Sequence, residues 1–304
     1  TNGNLFPELQ FHQGCGDYVS GTKPAPVVTD DALTWLDANA GRAEPWFLWV
    51  HYTDPHTPYQ PEAPYDSLYG EATGHQRQVD LYDGEIRKTD DQIRRILEWI
   101  AASGVSERTA IVFTADHGES LGEHDYYYEH GLHPYEPSAR IPLFVFIPGL
   151  TRPGVSHAMV GTVDFLPTFL SLAGMEVPTE AQGVSFLPLA LDPAHPGYQE
   201  FVFLEAGYSE HNGPGRTQAL RRGQTKYVHR LTGWAKLPRT PLDLLWTMDA
   251  RLEGGLAPDE YYDLARDPGE TENLAATRPG AVRAERQALQ AFVARLGTQA
   301  LAGA

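Results

Sequence analysis

The sequence predicts an α/β fold: a mostly parallel sheet with helices on both faces, followed by a smaller α+β subdomain. Three observations predict it. Short, continuously apolar runs alternate with amphipathic segments through the first two-thirds of the chain, the way strands buried on both faces and their crossover helices read. After about Pro193 the apolar runs become short and turn-separated, and a long amphipathic segment closes the chain. The length of 304 residues, with 41% hydrophobic and 21% charged side chains, suits one large domain with a smaller companion. The boundary is placed between 192 and 193, giving segments 1–192 and 193–304.

Each element has its own local reason. Thr29 can cap a helix whose Leu33, Leu36 and Ala40 keep helical spacing, with Gly41 as its stop. "PWFLWVH" then reads as a buried strand. Tyr82, Ile86, Ile93, Ile96, Leu97 and Ile100 mark one face of a long helix ending near Gly104. "TAIVFTADHG" reads as strand and turn, and "RIPLFVFIPG" as another strand. Pro167 falls in the first turn of a helix over "LPTFLSLAG", which Gly174 ends. In the last third, "EFVFLEAG", "TQALRRG" and "TKYVHR" are strand candidates and "RAERQALQAFVARLG" is a helix. There is no internal repeat and no low-complexity tract.

Composition excludes some classes of function. A formal net charge of -17 argues against nucleic acid as partner, and an anionic substrate would need locally clustered cations. No apolar run approaches the roughly 20 residues that span a bilayer. No charged-then-apolar leader opens the chain, which begins on Thr1, so the compartment stays open. The single cysteine, Cys15, rules out an internal disulfide framework.

Chemistry concentrates in "TADHGESLGEHDYYYEHG", residues 114–131. Gly118-Glu119-Ser120-Leu121-Gly122 matches the nucleophile-elbow pattern, yet Ser120 lies beyond the end of the strand and no helix follows, so Ser120 reads as a turn residue. Asp116 and His117 are the first polar residues after a strand, where open α/β sheets gather ligands. A carboxylate oxygen beside an imidazole nitrogen is half of a divalent metal site. Alone, the pair reads equally well as a turn cap and a solvated histidine. "HYTDPHTPY", from His51 to Tyr59, also follows an apolar run and should open on the same sheet edge, where imidazoles bind an anion or protonate a leaving oxygen.

Taken in order and spacing, "PWFLWVHYTDPHTPY", "TAIVFTADHGESLGEHDYYYEHG", "PYEPSARIPLFVFIPG", "VDFLPTFLSLAG" and "YYDLARDPGETENLA" resemble the C-terminal two-thirds of a sulfatase, from about Phe11 to Ala275. The resemblance implies the alkaline-phosphatase-like α/β domain with a C-terminal subdomain built on an antiparallel sheet. It also implies a metal-dependent sulfuric ester hydrolase. Position by position, it makes Asp116 and His117 metal ligands. His56 becomes the histidine at the sulfate ester and its leaving oxygen, and His130 a residue near the sulfate. Calcium is the first expectation for the metal; His117, where calcium-dependent members often carry Asn, keeps manganese or zinc open.

The resemblance also implies a formylglycine nucleophile made within C/S-x-P-x-R, and this sequence contains no such pattern; Cys15 is followed by Gly-Asp-Tyr-Val. The expectation is that the nucleophile segment lies upstream, in a piece absent from this sequence, and that the chain alone is inactive. The cationic "RRGQTKYVHR" could offer Lys226 to a polyanion, and His51 could join it as a substrate contact. Alternation along a half-exposed strand explains that stretch equally well. "DPGETENLA" reads as a turn in which Asp and Asn bond their own backbone.

The expected function is hydrolysis of sulfate esters in a sulfated small molecule or sulfated glycan, with no nucleic-acid partner and no membrane segment in this chain. The alternatives are a phosphodiesterase or phosphonate monoester hydrolase of the same superfamily, and an inactive remnant that binds anions or a partner.

Overall fold

A computed structural model describes residues 7–207, 217–230 and 258–302. The chain divides into two compact units, Thr1–Thr109 and Ala110–Ala304. The change of texture near residue 193 falls inside the second.

In the first unit, α1 spans Ala25–Asn39 and α2 spans Gly74–Ala102. Helix α1 begins four residues earlier than the expected cap, because Pro26 opens its first turn with a preset φ. Thr29 is therefore no cap. It is wholly buried inside the helix and shares a 2.8 Å hydrogen bond with the hydroxyl of Tyr52. Gly41 sits two residues past the helix end. The two helices are tied by Arg95 Nη2 to Asp30 Oδ1 at 2.6 Å and by Trp99 Nε1 to Asp37 Oδ1 at 2.7 Å.

Helix α2 reaches the expected stop, with Gly104 in the left-handed region at φ 76°. The face it buries is not the one its apolar spacing marks. Ile86 and Leu97 are 43% and 42% exposed, while Gly84, Glu85, Lys88, Thr89 and Gln92 are buried. Those polar residues hold the loop that follows "PWFLWVH". That apolar run forms no strand, and Phe47 and Trp49 are exposed.

In the second unit, β1 (Ile111–Thr114) pairs with β4 (Leu143–Phe146) in register Val112↔Val145. Short β2 (Ser120–Leu121) pairs with β3 (Tyr127–Glu129) around the candidate site. All ladders among the described residues are antiparallel. Helices α3 (Glu136–Ala139), α4 (Phe165–Leu172) and α5 (Leu187–Leu191) follow, and α4 ends at Gly174 as its sequence requires.

A four-stranded sheet, in order β5-β6-β7-β8, then forms from Val202–Ala206, Thr217–Arg222, Thr225–Arg230 and Asp259–Asp263. Helix α6 (Pro279–Ala302) covers one face, where Val282 and Leu289 pack on Leu220 and Tyr227. The opposite face packs Ala219, Val228 and Tyr262 on Tyr135 and Leu264. Strand β7 is thus buried on both sides, with Lys226, Tyr227 and Val228 all fully inaccessible, and it is not the half-exposed strand the alternation allows. Strand β8 escapes a sequence reading because "DEYYD" is short and acid-flanked; pairing with β7 makes it a strand. No helix among the described residues is long and apolar enough to cross a membrane.

Candidate active site

Strand β1 ends at Thr114 and the chain turns at once into Asp116 and His117. Asp116 is 59% and His117 40% exposed at the side chain, and His117 Nε2 stands 3.7 Å from Asp116 Oδ2. The other atoms of the pair are engaged: Asp116 Oδ1 accepts from the His117 N–H at 2.9 Å, and His117 Nδ1 donates to the carbonyl of Gly118 at 2.8 Å. Fixing the proton on Nδ1 gives Nε2 a lone pair, so an imidazole nitrogen and a carboxylate oxygen converge on one point. That donor set fits half the coordination of a divalent ion. Among the described residues no group of three His, Cys, Asp or Glu side chains completes it.

His130 stacks on His117, ring centroids 3.7 Å apart. Its Nδ1 donates to Glu119 Oε1 at 3.1 Å. That carboxylate raises the His130 pKa against the opposing effect of partial burial, so the ring holds its proton to higher pH than an ordinary histidine. Tyr126 donates its hydroxyl to the His130 carbonyl at 2.8 Å, closing the loop on itself.

Two features hold this loop in place. Gly118 lies so close to the next segment that a Cβ would stand 2.0 Å from the carbonyl oxygen of Pro137, and its N–H donates to Ser138 at 2.9 Å. The 134–138 segment is in turn fixed to the C-terminal sheet. Lys226, fully buried, pairs with Glu136 at 2.7 Å and Glu270 at 2.9 Å and donates to the carbonyl of Pro134 at 2.9 Å. Burial opposes ionisation of Glu136, but Lys226 holds its carboxyl below the usual range; at Glu270 burial wins and the pKa is raised. Beside them Arg230 pairs with Glu260 at 3.0 Å and donates to the hydroxyl of Tyr135, which donates to Glu260. His124 stacks on Tyr135 at 3.7 Å although its φ of 58° is in the left-handed region.

In the first unit, His56 is exposed on the loop that precedes α2, and its Nδ1 donates to the carbonyl of Thr57 at 2.6 Å. Its backbone N–H donates to Glu85 at 3.0 Å. His51 is half-buried with its ring edge-on to Trp49.

The structure therefore brings Asp116, His117 and His130 together and adds Glu119. Ser120 is no exposed nucleophile: it is 4% exposed, lies in β2 opposite Glu129, and its hydroxyl donates toward Glu123. Lys226 as a substrate contact is corrected, since all its donors serve the buried network and none reaches solvent. Its sequence neighbours gave no sign of this, because both acids that neutralise it are remote in sequence. "DPGETENLA" is a structural tie as well as a turn: Asp267 accepts from the Glu272 N–H at 2.8 Å, Asn273 accepts from Tyr261 at 3.1 Å, and Glu270 carries the buried charge. Glu119 and Glu85 were missed. Glu119 sits inside the quoted motif, three residues past Asp116, and its type alone could have marked it; nothing in the sequence singles out Glu85.

Comparison with known proteins finds relatives in sequence and in fold. The Sulfatase family model matches residues 15–175, and the model described as "N-sulphoglucosamine sulphohydrolase, C-terminal" matches 122–232. The chain is similar to arylsulfatase K of Bos taurus, 28% identical over 218 residues, covering 70% of this chain and 36% of that one. It thus spans little more than a third of that relative. Among solved structures it resembles a protein in complex with its substrate D-glucosamine-2-N,6-O-disulfate, with TM-score 0.69 and 19% identity over 90% of this chain and 70% of the other. It also resembles the phosphonate monoester hydrolase of Silicibacter pomeroyi, with TM-score 0.70 and 23% identity over 90% of this chain and 60% of the other. These likenesses show the alkaline-phosphatase-like α/β fold. With a family model matching more than half its length, the chain belongs to the sulfatase family.

Proposed function

We propose that this chain is part of a sulfuric ester hydrolase acting on a sulfated small molecule or sulfated glycan. The observation that carries the reading is the convergence of Asp116 Oδ2, His117 Nε2 and the stacked, Glu119-bonded His130 on one exposed loop. Asp116 and His117 would hold a divalent metal, calcium by family expectation, with the imidazole at 117 also suiting manganese or zinc. Bound there, the metal would supply Lewis-acid stabilisation of charge on the sulfuryl oxygens and on the nucleophile.

The residues of this chain do the remaining work that can be assigned. His130 offers a positive charge to the sulfuryl group. By family expectation His56 would give a proton to the ester oxygen as the S–O bond breaks, so that an alcohol rather than an alkoxide departs. The nucleophile would come from residues outside this chain, formylglycine by family expectation, because no C/S-x-P-x-R occurs here. The disulfated glucosamine bound by the structural neighbour supports a sulfated sugar as substrate class.

The same donor set also suits a phosphonate monoester, and the phosphonate hydrolase neighbour shares the fold. The two are separated by comparing an aryl sulfate with the matching aryl phosphonate, using protein expressed from its full reading frame. The expected result is a preference for the sulfate of about tenfold or more in kcat/KM, equal to roughly 1.4 kcal/mol of transition-state binding. A preference for the phosphonate, or turnover of neither, would contradict the reading.

A further inference from the structure

The loop that carries His56, "TDPHTPYQPEAP", has prolines at 55, 58, 61 and 64 and so lacks a backbone N–H at each of those positions. Such a loop has few donors with which to hold its own shape. The donors at His56 and Gln60 both go to a single acceptor, the buried carboxylate of Glu85 on α2: His56 N–H to Oε2 at 3.0 Å and Gln60 N–H to Oε1 at 2.7 Å. The same face of α2 grips the loop at two more points. Lys88, 5% exposed, pairs with Asp54 at 3.2 Å and Glu62 at 3.0 Å, either side of the Glu85 contacts. Gly84 allows the chain to pass, since a Cβ there would stand 2.4 Å from the carbonyl oxygen of Tyr65. This is why α2 buries polar residues beside the face that its apolar spacing marks.

From this geometry we infer that Glu85 is a positioning residue for His56: one carboxylate, bridging two backbone N–H groups, sets where the imidazole stands relative to the ester's leaving oxygen. The inference rests on the proposed role of His56. Glu85 is buried and both its carboxylate oxygens are taken by backbone N–H groups. Its two oxygens each accept one N–H, so Glu85→Gln keeps one hydrogen bond and turns an NH2 donor against the other N–H.

The test uses protein expressed from its full reading frame and a series of aryl sulfates of graded leaving-group acidity. If His56 protonates the leaving oxygen, His56→Ala slows poor leaving groups more than good ones, and the dependence of kcat on leaving-group acidity steepens. Glu85→Gln should steepen it in the same sense. Its kcat on the poorest leaving group should fall roughly 10–100-fold, as displacement of a catalytic group by a fraction of its productive geometry does, with KM little changed. Amide exchange at His56 and Gln60 should accelerate while α2 keeps its protection. An unchanged slope in Glu85→Gln, with a steeper slope in His56→Ala, would overturn the inference and leave the role of His56 intact. An unchanged slope in both would overturn that role and the inference with it. Global unfolding of Glu85→Gln would show that the residue holds the unit rather than the loop, and would also overturn it.

Discussion

Methionine in place of Lys226 should lower stability at neutral pH by about 3–5 kcal/mol, the usual cost of removing one partner from a buried ion pair. The side chains of Lys226 and Glu270 are both fully inaccessible and that of Glu136 is 12% exposed, so the variant leaves Glu270 out of water with no cation and Glu136 with Arg221 alone, at 3.4 Å. The Glu270 pKa, already raised by burial in the parent, should then rise further, because the lysine that opposed the shift is gone. A raised carboxyl pKa contributes stability that is present at low pH and is lost as pH rises through the folded value. The deficit should therefore shrink on going from pH 7 to pH 5, opposite to ordinary acid destabilisation. Urea unfolding of parent and variant at both pH values checks the size and the sign. A loss under 1 kcal/mol with no pH dependence would mean that the Lys226 network does not fix the sheet to the 134–138 segment.

Gly118→Ala should have the next largest effect, on stability and on chemistry together. The added carbon would stand 2.0 Å from the carbonyl oxygen of Pro137, and backbone cannot swing aside as a flexible side chain can. Overpacking of this kind costs typically about 1–3 kcal/mol. The loop must move to relieve it, carrying Asp116, His117 and His130 with it. A displacement near 1 Å at a site that depends on geometry is worth roughly 10²-fold in rate. Gly280→Ala is the control: it lies in α6 with nothing within 4 Å of its Cβ position, so it should leave kcat/KM unchanged and raise stability by about 0.4–1 kcal/mol, as Gly→Ala at a compatible helical position does. Thermal unfolding with kcat/KM on an aryl sulfate, for both variants, decides it: equal behaviour would contradict the close approach on which the site loop depends.

What the sequence made legible follows a physical division. Elements whose cause is local were readable: α4 with its Pro167 start and Gly174 stop, α2 with Gly104 behind it, the strands β5, β6 and β7, and the terminal helix. Asp116, His117 and His130 were readable as a group because their chemistry is crowded into one stretch of chain. What depends on partners remote in sequence was hidden. Lys226 looked like a surface cation because Glu136 and Glu270 lie 90 and 44 residues away by their numbers, and only the fold brings them to it. The polar face of α2 was not read at all, because the proline-rich loop that needs its carboxylate and ammonium groups was read only for its histidines. Thr29 looked like a cap because its type favours caps, and Pro26 supplied a better helix start three residues earlier. "PWFLWVH" has the composition of a strand, but strand formation is a property of neighbours as well as of composition.

The central claim is that Asp116 and His117 place a divalent metal where a sulfate ester is hydrolysed. The most direct measurement is sulfate release from an aryl sulfate by protein expressed from its full reading frame, after chelation and readdition of calcium or manganese, in parent and Asp116→Ala. The account predicts turnover in the parent that chelation abolishes and metal restores. In Asp116→Ala it predicts a loss on the order of 10²–10³-fold or more, the scale at which removing one preorganised stabiliser of transition-state charge acts, with no recovery at the metal concentrations that restore the parent. Turnover that withstands chelation, or that survives the loss of Asp116, would contradict it.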